Sequence, residues 1–289
     1  MLKIIAGTFK KGWADTAHYI TIRHMNFSVH QASHIGNRKY NQDRVAYAYS
    51  QDVLLLVLAD GMGGHLQGEV AAGLAIETFI EAFGKFAQSE QRTPQTFLAE
   101  TMRRAHQRIM ELPHNPELGN TFPGTTCVAA LIHDGRMYWG HAGDSRLYLL
   151  RDDAVIAKTE DHSMVHQWEM WGVISAEEAS VHPQRNQITN CLGGMDNMFY
   201  IEEGKPVDLE SGDTLLLCSD GLWSAFRDRE LIDAFNARSV TEVLDRLMLT
   251  ALEREQGHSD NVTGISIRWG GREAAHNTTL PVSQVLQIA

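Results

Sequence analysis

Apolar runs that stop abruptly set the pattern of this chain. Residues 54–64 read LLLVLADGMGG: six apolar side chains from Leu54 to Ala59, then Asp60 and Gly61. Residues 214–222, TLLLCSDGL, repeat the device with Asp220. Short apolar runs closed by turn residues predict buried strands. Further strands are expected at about 26–32, 44–49, 125–132, 136–142, 146–150 and 262–268. The tetrad HDGR (133–136) predicts an Asp-Gly hairpin, which makes its two strands antiparallel. Helical periodicity covers 68–87, where Val70, Leu74 and Phe79 are read as one side. It recurs over 94–112, behind Thr93-Pro94, over 228–235, and over 239–255, where Ser239 and Glu242 have capping-box spacing. Strand runs and helix runs are segregated, so the class is α+β. Residues between about 151 and 213 read as a long irregular piece.

Composition narrows the picture. The chain has 289 residues, 43% hydrophobic and 21% charged, within reach of one two-layer fold. A net charge of −11 excludes a nucleic-acid or anionic-membrane partner. The longest apolar run, Val53–Ala59, is far short of the ~20 residues a membrane helix needs. Cys127, Cys191 and Cys218 form no C-x-x-C pair and read as small buried thiols in a reducing, cytoplasmic compartment. Residues 1–24 have no signal-peptide core, and Met25 opens an alternating run. They are read as a dispensable N-terminal extension, followed by one domain over 25–269 and a polar tail over 270–289.

Candidate chemistry comes from aspartates at strand ends and turns: Asp43 in GNRKYNQDR, Asp60 in LADGMGG, Asp144 in GHAGDSRLY, Asp220 in CSDGLW and Asp260 in HSDNVTG. Each alone is an ordinary turn residue. Several desolvated carboxylates facing one another need cations between them. Magnesium and manganese prefer such oxygen ligands. Asp60 can bridge two ions, and the Gly61 carbonyl can add another oxygen; glycines at 61, 63, 64 and 68 allow close approach. Zinc is disfavoured, because the 14 histidines form no H-E-x-x-H or Cys/His quartet. Arg38 suits a phosphate clamp, or equally a surface ion pair. A C-x5-R nucleophile is excluded, since His133, Asn197 and Ser224 stand six after the cysteines. No D-x-D-x-[TV], G-x-S-x-G or G-x-x-x-x-G-K-[ST] segment occurs. Metal-activated water remains.

In order, GNRKYNQDR, VLADGMGGHLQGEVAA, GTTCVAALI, WGHAGDSRLYLLR, TEDHSMVHQWEMWGVIS, NCLGG, LLLCSDGLW and SDNVTG resemble the metal-dependent serine/threonine protein phosphatases of type 2C, in their compact bacterial form. The resemblance spans about residues 34–264. It implies a four-layer αββα sandwich of two antiparallel sheets flanked by helix pairs, with a dinuclear site at one edge. It implies two Mn2+ or Mg2+ ions: Asp60 bridging, Gly61 on one ion, Asp220 and Asp260 on the second, and Asp43 direct or through water. Asp144, with Asp220, matches the ligand of a third, weaker ion. Arg38 would hold the substrate phosphate, and Asn261 would orient water or phosphate. Arg38, Asp60 and Asp220 would thus carry catalysis. A flap over about 162–192 would help choose substrates. Met62 stands where some members carry a proton-donating histidine, which leaves the general acid unassigned, a water on the third ion being one candidate, and Gln42 replaces a common glutamate. The implied partners are phosphorylated proteins and an opposing Ser/Thr kinase, acting on a monomer; control of a secretion apparatus is one setting. The rival readings are a phosphoprotein-binding pseudophosphatase and a hydrolase of another phosphate ester.

Overall fold

Unbroken apolar runs make sense when both faces of a strand are covered. The computed structural model describes residues 3–6, 18–22, 25–62, 66–113, 122–194 and 199–270. It opens with β1 (Lys3–Ala6), β2 (His18–Ile22), β3 (Met25–His34), β4 (Asp43–Tyr49) and β5 (Val53–Met62), then helices α1 (Leu66–Phe86) and α2 (Pro94–Met110). Next come β6 (Gly124–Thr125), β7 (Cys127–His133), β8 (Arg136–Ala142), β9 (Arg146–Arg151) and β10 (Ala154–Lys158). Two short helices, α3 (Met164–Met170) and α4 (Ala176–Val181), precede β11 (Leu192–Gly193), β12 (Glu202–Glu203) and β13 (Val207–Asp208). The last described elements are β14 (Thr214–Cys218), α5 (Asp220–Trp223), α6 (Asp228–Ala237), α7 (Val240–Arg254) and β15 (Val262–Trp269).

Two antiparallel sheets result. The first runs β1-β4-β5-β7-β8-β12, with β13 on β8, and β6 joining β5 to β11; the second runs β10-β9-β14-β15-β3-β2. Side-chain alternation assigns each strand residue to a cluster. In β5, Leu54, Leu56 and Leu58 meet residues of the second sheet, including Leu215, Leu217, Ile265 and Ile267. Val53, Leu55, Val57 and Ala59 point the other way, into Phe79, Phe83, Leu98 and Met102 of α1 and α2. In β14 the alternate pair Leu216 and Cys218 packs with Leu231, Phe235, Leu244 and Met248 of α6 and α7. None of these strands has a solvent face, so none shows polar alternation.

Several sequence expectations are refined. The HDGR hairpin is present, with His133 opposite Arg136 and positive φ at Asp134 (51°) and Gly135 (72°). Val70 is 49% exposed, whereas Ala72, Ala75, Phe79 and Phe83 form the buried face of α1. Nine residues at about 100° each place Val70 half a turn from Phe79. Thr93 stands at the N-cap of α2 without a side-chain cap bond, while the Ser239 hydroxyl accepts the Glu242 N–H at 3.3 Å. The stretch read as irregular holds α3 and α4, and its ends are tied by a Ser163–Ile188 bridge and by Thr189 N–H to His162 O at 2.8 Å.

The N-terminal segment also forms strands: β1 pairs with β4 and β2 with β3, and Ile20 is buried in the intersheet cluster. Gly63, Gly64 and residues 271–289 of the tail lie outside the described residues. Among those described, no helix is long and apolar enough to cross a membrane.

Candidate metal centre

Strand ends of both sheets deliver the carboxylates to one place. β4 begins at Asp43, and antiparallel register sets Asp43 directly opposite Asp60 of β5. Like charges facing across a ladder repel. Asp220 lies two residues past β14, and Asp260 two residues before β15, both strands of the second sheet. Asp144 stands in the turn between β8 and β9, where the chain passes from the first sheet to the second.

Electrostatics ties the five together. Burial raises the Asp60 carboxyl well above its ordinary 3.8, and Asp43, Asp220, Asp144 and Asp260 raise it further. Burial pushes Asp43 up to about 6, against hydrogen bonds to Thr263 and Ser219 that lower it, with Asp260 adding to the rise. Asp220 is pushed up to about 7 by burial, then by Asp260 and Asp43. Asp144 is raised well above 3.8 by burial, then by Asp220 and Asp161. One oxygen each of Asp43, Asp144 and Asp220 is buried without a hydrogen-bond partner. A carboxylate so placed is costly unless a cation meets it. An all-oxygen donor set with orphaned lone pairs fits a hard divalent ion.

Backbone contacts hold these groups in place. Gly61 and Gly68 approach so closely that a Cβ on Gly61 would lie 2.1 Å from the Gly68 carbonyl oxygen. That contact sets the start of α1 against the end of β5. The Asp60 N–H donates to Thr126 Oγ1 at 3.0 Å, and Asp60 O accepts the Thr126 N–H at 2.8 Å and the Thr125 hydroxyl at 2.9 Å. Ser219 Oγ donates to Asp43 Oδ2 at 2.9 Å, linking the two sheets. Arg38 is ion-paired with Asp260, and its side chain is 57% exposed. The Asn261 amide has partners other than those expected. It donates to Ile35 O (2.8 Å) and Tyr40 O (3.0 Å) and accepts the Gln42 N–H (2.8 Å). Asn261 therefore shapes the loop that carries Arg38.

Sequence reasoning passed over Thr126, Ser145, Ser219, His162 and Trp223. Thr126 Oγ1 bonds Ser145 Oγ at 2.7 Å, and Trp223 Nε1 donates to Asp144 O at 2.9 Å. Arg146 stacks 3.4 Å over the Trp223 ring and pairs through two nitrogens with Asp161. All five sit inside the quoted motif strings, yet nothing in spacing says which polar atoms meet. Among the described residues, a group of three or more metal-type side chains whose ligand atoms all lie within 4.8 Å of one another occurs only at His141, His162 and Glu202. The aspartates form no such tight trio, as suits several ions that keep bound water.

Comparison with known proteins gives a consistent result. The family model described as protein phosphatase 2C matches residues 30–260. The serine/threonine phosphatase stp of Listeria innocua is 33% identical over 235 residues, covering 78% of this chain and 89% of that protein. The Mycobacterium tuberculosis serine/threonine phosphatase PstP/Ppp superposes with a TM-score of 0.71 at 33% identity, over 84% of this chain and 98% of that one. A structure of the PstP catalytic domain in complex with two manganese ions gives a TM-score of 0.64 at 28% identity, over 93% and 99% of the two chains.

Proposed function

The chain belongs to the protein phosphatase 2C family and is a bacterial serine/threonine protein phosphatase, and on that premise we propose how its own residues do the work. The fold is read as an αββα sandwich, helix pairs outside two stacked sheets, with the metal centre at one edge. The observation that carries the reading is the facing pair Asp43–Asp60, with buried partnerless oxygens on Asp43, Asp144 and Asp220 beside it.

Asp60 and the Gly61 carbonyl would hold two Mn2+ or Mg2+ ions, with Asp43, Asp220 and Asp260 completing the ligands and Asp144 serving a third ion with Asp220. The PstP relative with two manganese ions supports this count. When bound, such ions acidify water enough to supply a nucleophile at neutral pH. Arg38 is placed to fork onto phosphoryl oxygens, because it is anchored by Asp260 at one nitrogen and more than half exposed. Asn261 acts through the loop it pins. Met62 carries no proton to donate, so protonation of the leaving oxygen falls to water. The tied segment 162–192, with Met170, Trp171 and Val173 exposed, is read as the flap that meets the phosphoprotein. The three free cysteines agree with a reducing cytoplasm. The opposing partner is a Ser/Thr kinase, and the phosphatase acts as a monomer.

Hydrolysis of p-nitrophenyl phosphate and of a phosphothreonine peptide, with manganese, magnesium or EDTA, tests the reading. Metal-dependent turnover of both is expected. Undiminished turnover in EDTA would overturn it.

A further inference from the structure

His162 sits at the base of the flap with its ring buried, and both ring nitrogens are occupied. Nδ1 accepts the Gly143 N–H at 3.1 Å and the Asn190 side-chain amide at 2.8 Å. Asn190 has no choice of orientation: it donates to Tyr200 O at 2.9 Å and accepts the Tyr200 N–H at 3.3 Å. Two N–H donors on Nδ1 exclude a proton there. The ring proton is therefore on Nε2, which faces Glu202 Oε2 at 3.2 Å. The His162 backbone completes a clamp, since its N–H donates to Gly143 O at 3.1 Å. One residue thus holds Gly143 by both its N–H and its carbonyl. The opposite side is closed too. Gly143 has φ 110°, and a Cβ there would lie 2.6 Å from the Thr126 Cβ. Gly143 leads directly into Asp144.

The tautomer also decides what the neighbouring cluster is. His141, His162 and Glu202 could span a metal ion by distance alone. An ion at His162 Nε2 would move the ring proton to Nδ1, against the donors of Gly143 and Asn190. The cluster fits a hydrogen-bond network better than a cation site.

We propose that His162 is a positioning residue for Asp144: its Nδ1 lone pair fixes the Gly143 N–H, and with it the turn of chain that leads into Asp144, so that the carboxylate is aimed into the metal centre. The proposal rests on the reading of Asp144 as a ligand.

Two substitutions in the full chain separate the lone pair from the bulk of the ring. His162→Asn places an amide oxygen where Nδ1 stands and keeps the acceptor for Gly143. His162→Gln places its amide near Nε2, keeping the contact with Glu202 and losing the acceptor. Manganese binding by calorimetric titration is the first readout, and the manganese dependence of p-nitrophenyl phosphate turnover the second. The Gln variant is expected to need about tenfold or more manganese for half-saturation of the weakest site, the loss usual for outer partners of metal ligands. The Asn variant should stay within about threefold of the parent. The reverse order, with bulkier Gln the milder, would overturn the proposal.

Asn190→Asp, nearly isosteric, puts acceptors against Nδ1 and draws the proton there. It should reproduce the Gln defect, and parental manganese binding in it would also count against the proposal. Histidine 15N shifts of the labelled parent should show His162 with its proton on Nε2. Asp144→Asn keeps the two readings apart. If it binds manganese and turns over as the parent does, the ligand reading of Asp144 fails. If it is impaired while His162→Gln is not, the positioning role fails. Zinc bound by Asp60→Asn protein, and lost on adding His141→Ala, would replace the network with a metal site.

Discussion

Asp60 acts in two opposite directions at the residue scale. Facing Asp43 and surrounded by three further carboxylates, it repels its neighbours, and on the proposed reading it would bind cations. Asp60→Asn is therefore expected to lose manganese affinity and turnover together, yet to melt higher than the parent in EDTA. Calorimetry and thermal melts of the metal-free pair check both. Arg38→Ala should leave manganese binding near the parental value and lower turnover of the phosphoester, because Arg38 pairs with Asp260 at the rim and is more than half exposed. Thr126→Val strands the buried Asp60 N–H and should cost about 1–3 kcal/mol in denaturant unfolding. The aspartates were legible in the sequence because each stands at one end or the other of an apolar run. Thr126, Ser219 and His162 were not. Their partners, Asp60, Asp43 and Gly143, lie far along the chain, and only the pairing of distant strands makes them neighbours.

At the scale of elements, long runs with one strong period were legible, and short or doubly tied ones were not. β5, β7, β8 and β14 stand where their apolar runs are. β10 to β13 are two to five residues long, too short for a period to form. α3 and α4 are similarly brief and bury little. β1 and β2 escaped notice because lysines and an aspartate break their stretch of sequence. Yet they add edge strands to the two sheets and bring Ile20 into the core. Removing residues 1–24 is expected to leave turnover largely intact, since no site residue lies there. It should lower Tm by a few degrees through the lost pairing and the burial of Ile20, worth about 1.5–3 kcal/mol. A melt and an activity assay of the shortened chain decide it.

For the whole molecule, the metal centre is a seam of repulsion between two sheets. Asp43 and Asp220 titrate near 6 and 7 in the folded protein and near 3.8 when unfolded. Carboxyls raised in this way contribute stability that is complete below about pH 4 and lost as pH rises through 6 and 7. Asp52 has the opposite sign, because the bond and charge of Arg92 outweigh its burial, but it acts at lower pH, below this window. His162, held down to about 4 by burial, and His141 and His106, lowered by burial, also oppose the carboxyls, but only below the ordinary histidine value of 6.5. Metal-free protein should therefore melt lower at pH 8 than at pH 6.5. With manganese the slope should reverse, since binding requires the deprotonated ligands. Melts with and without EDTA across that range provide the check.

The facing of Asp43 and Asp60 has a last consequence, for inheritance. Strand side chains repeat every two residues, so a single inserted or deleted codon in β5 turns Leu56, and one in β4 turns Tyr47, from the sheets toward the helices. The same slip parts the two aspartates. Such changes are eliminated twice over. Length variation among descendants of this gene is therefore expected in places where no ladder runs, such as the Ser89–Arg92 link and the Asp152–Asp153 turn.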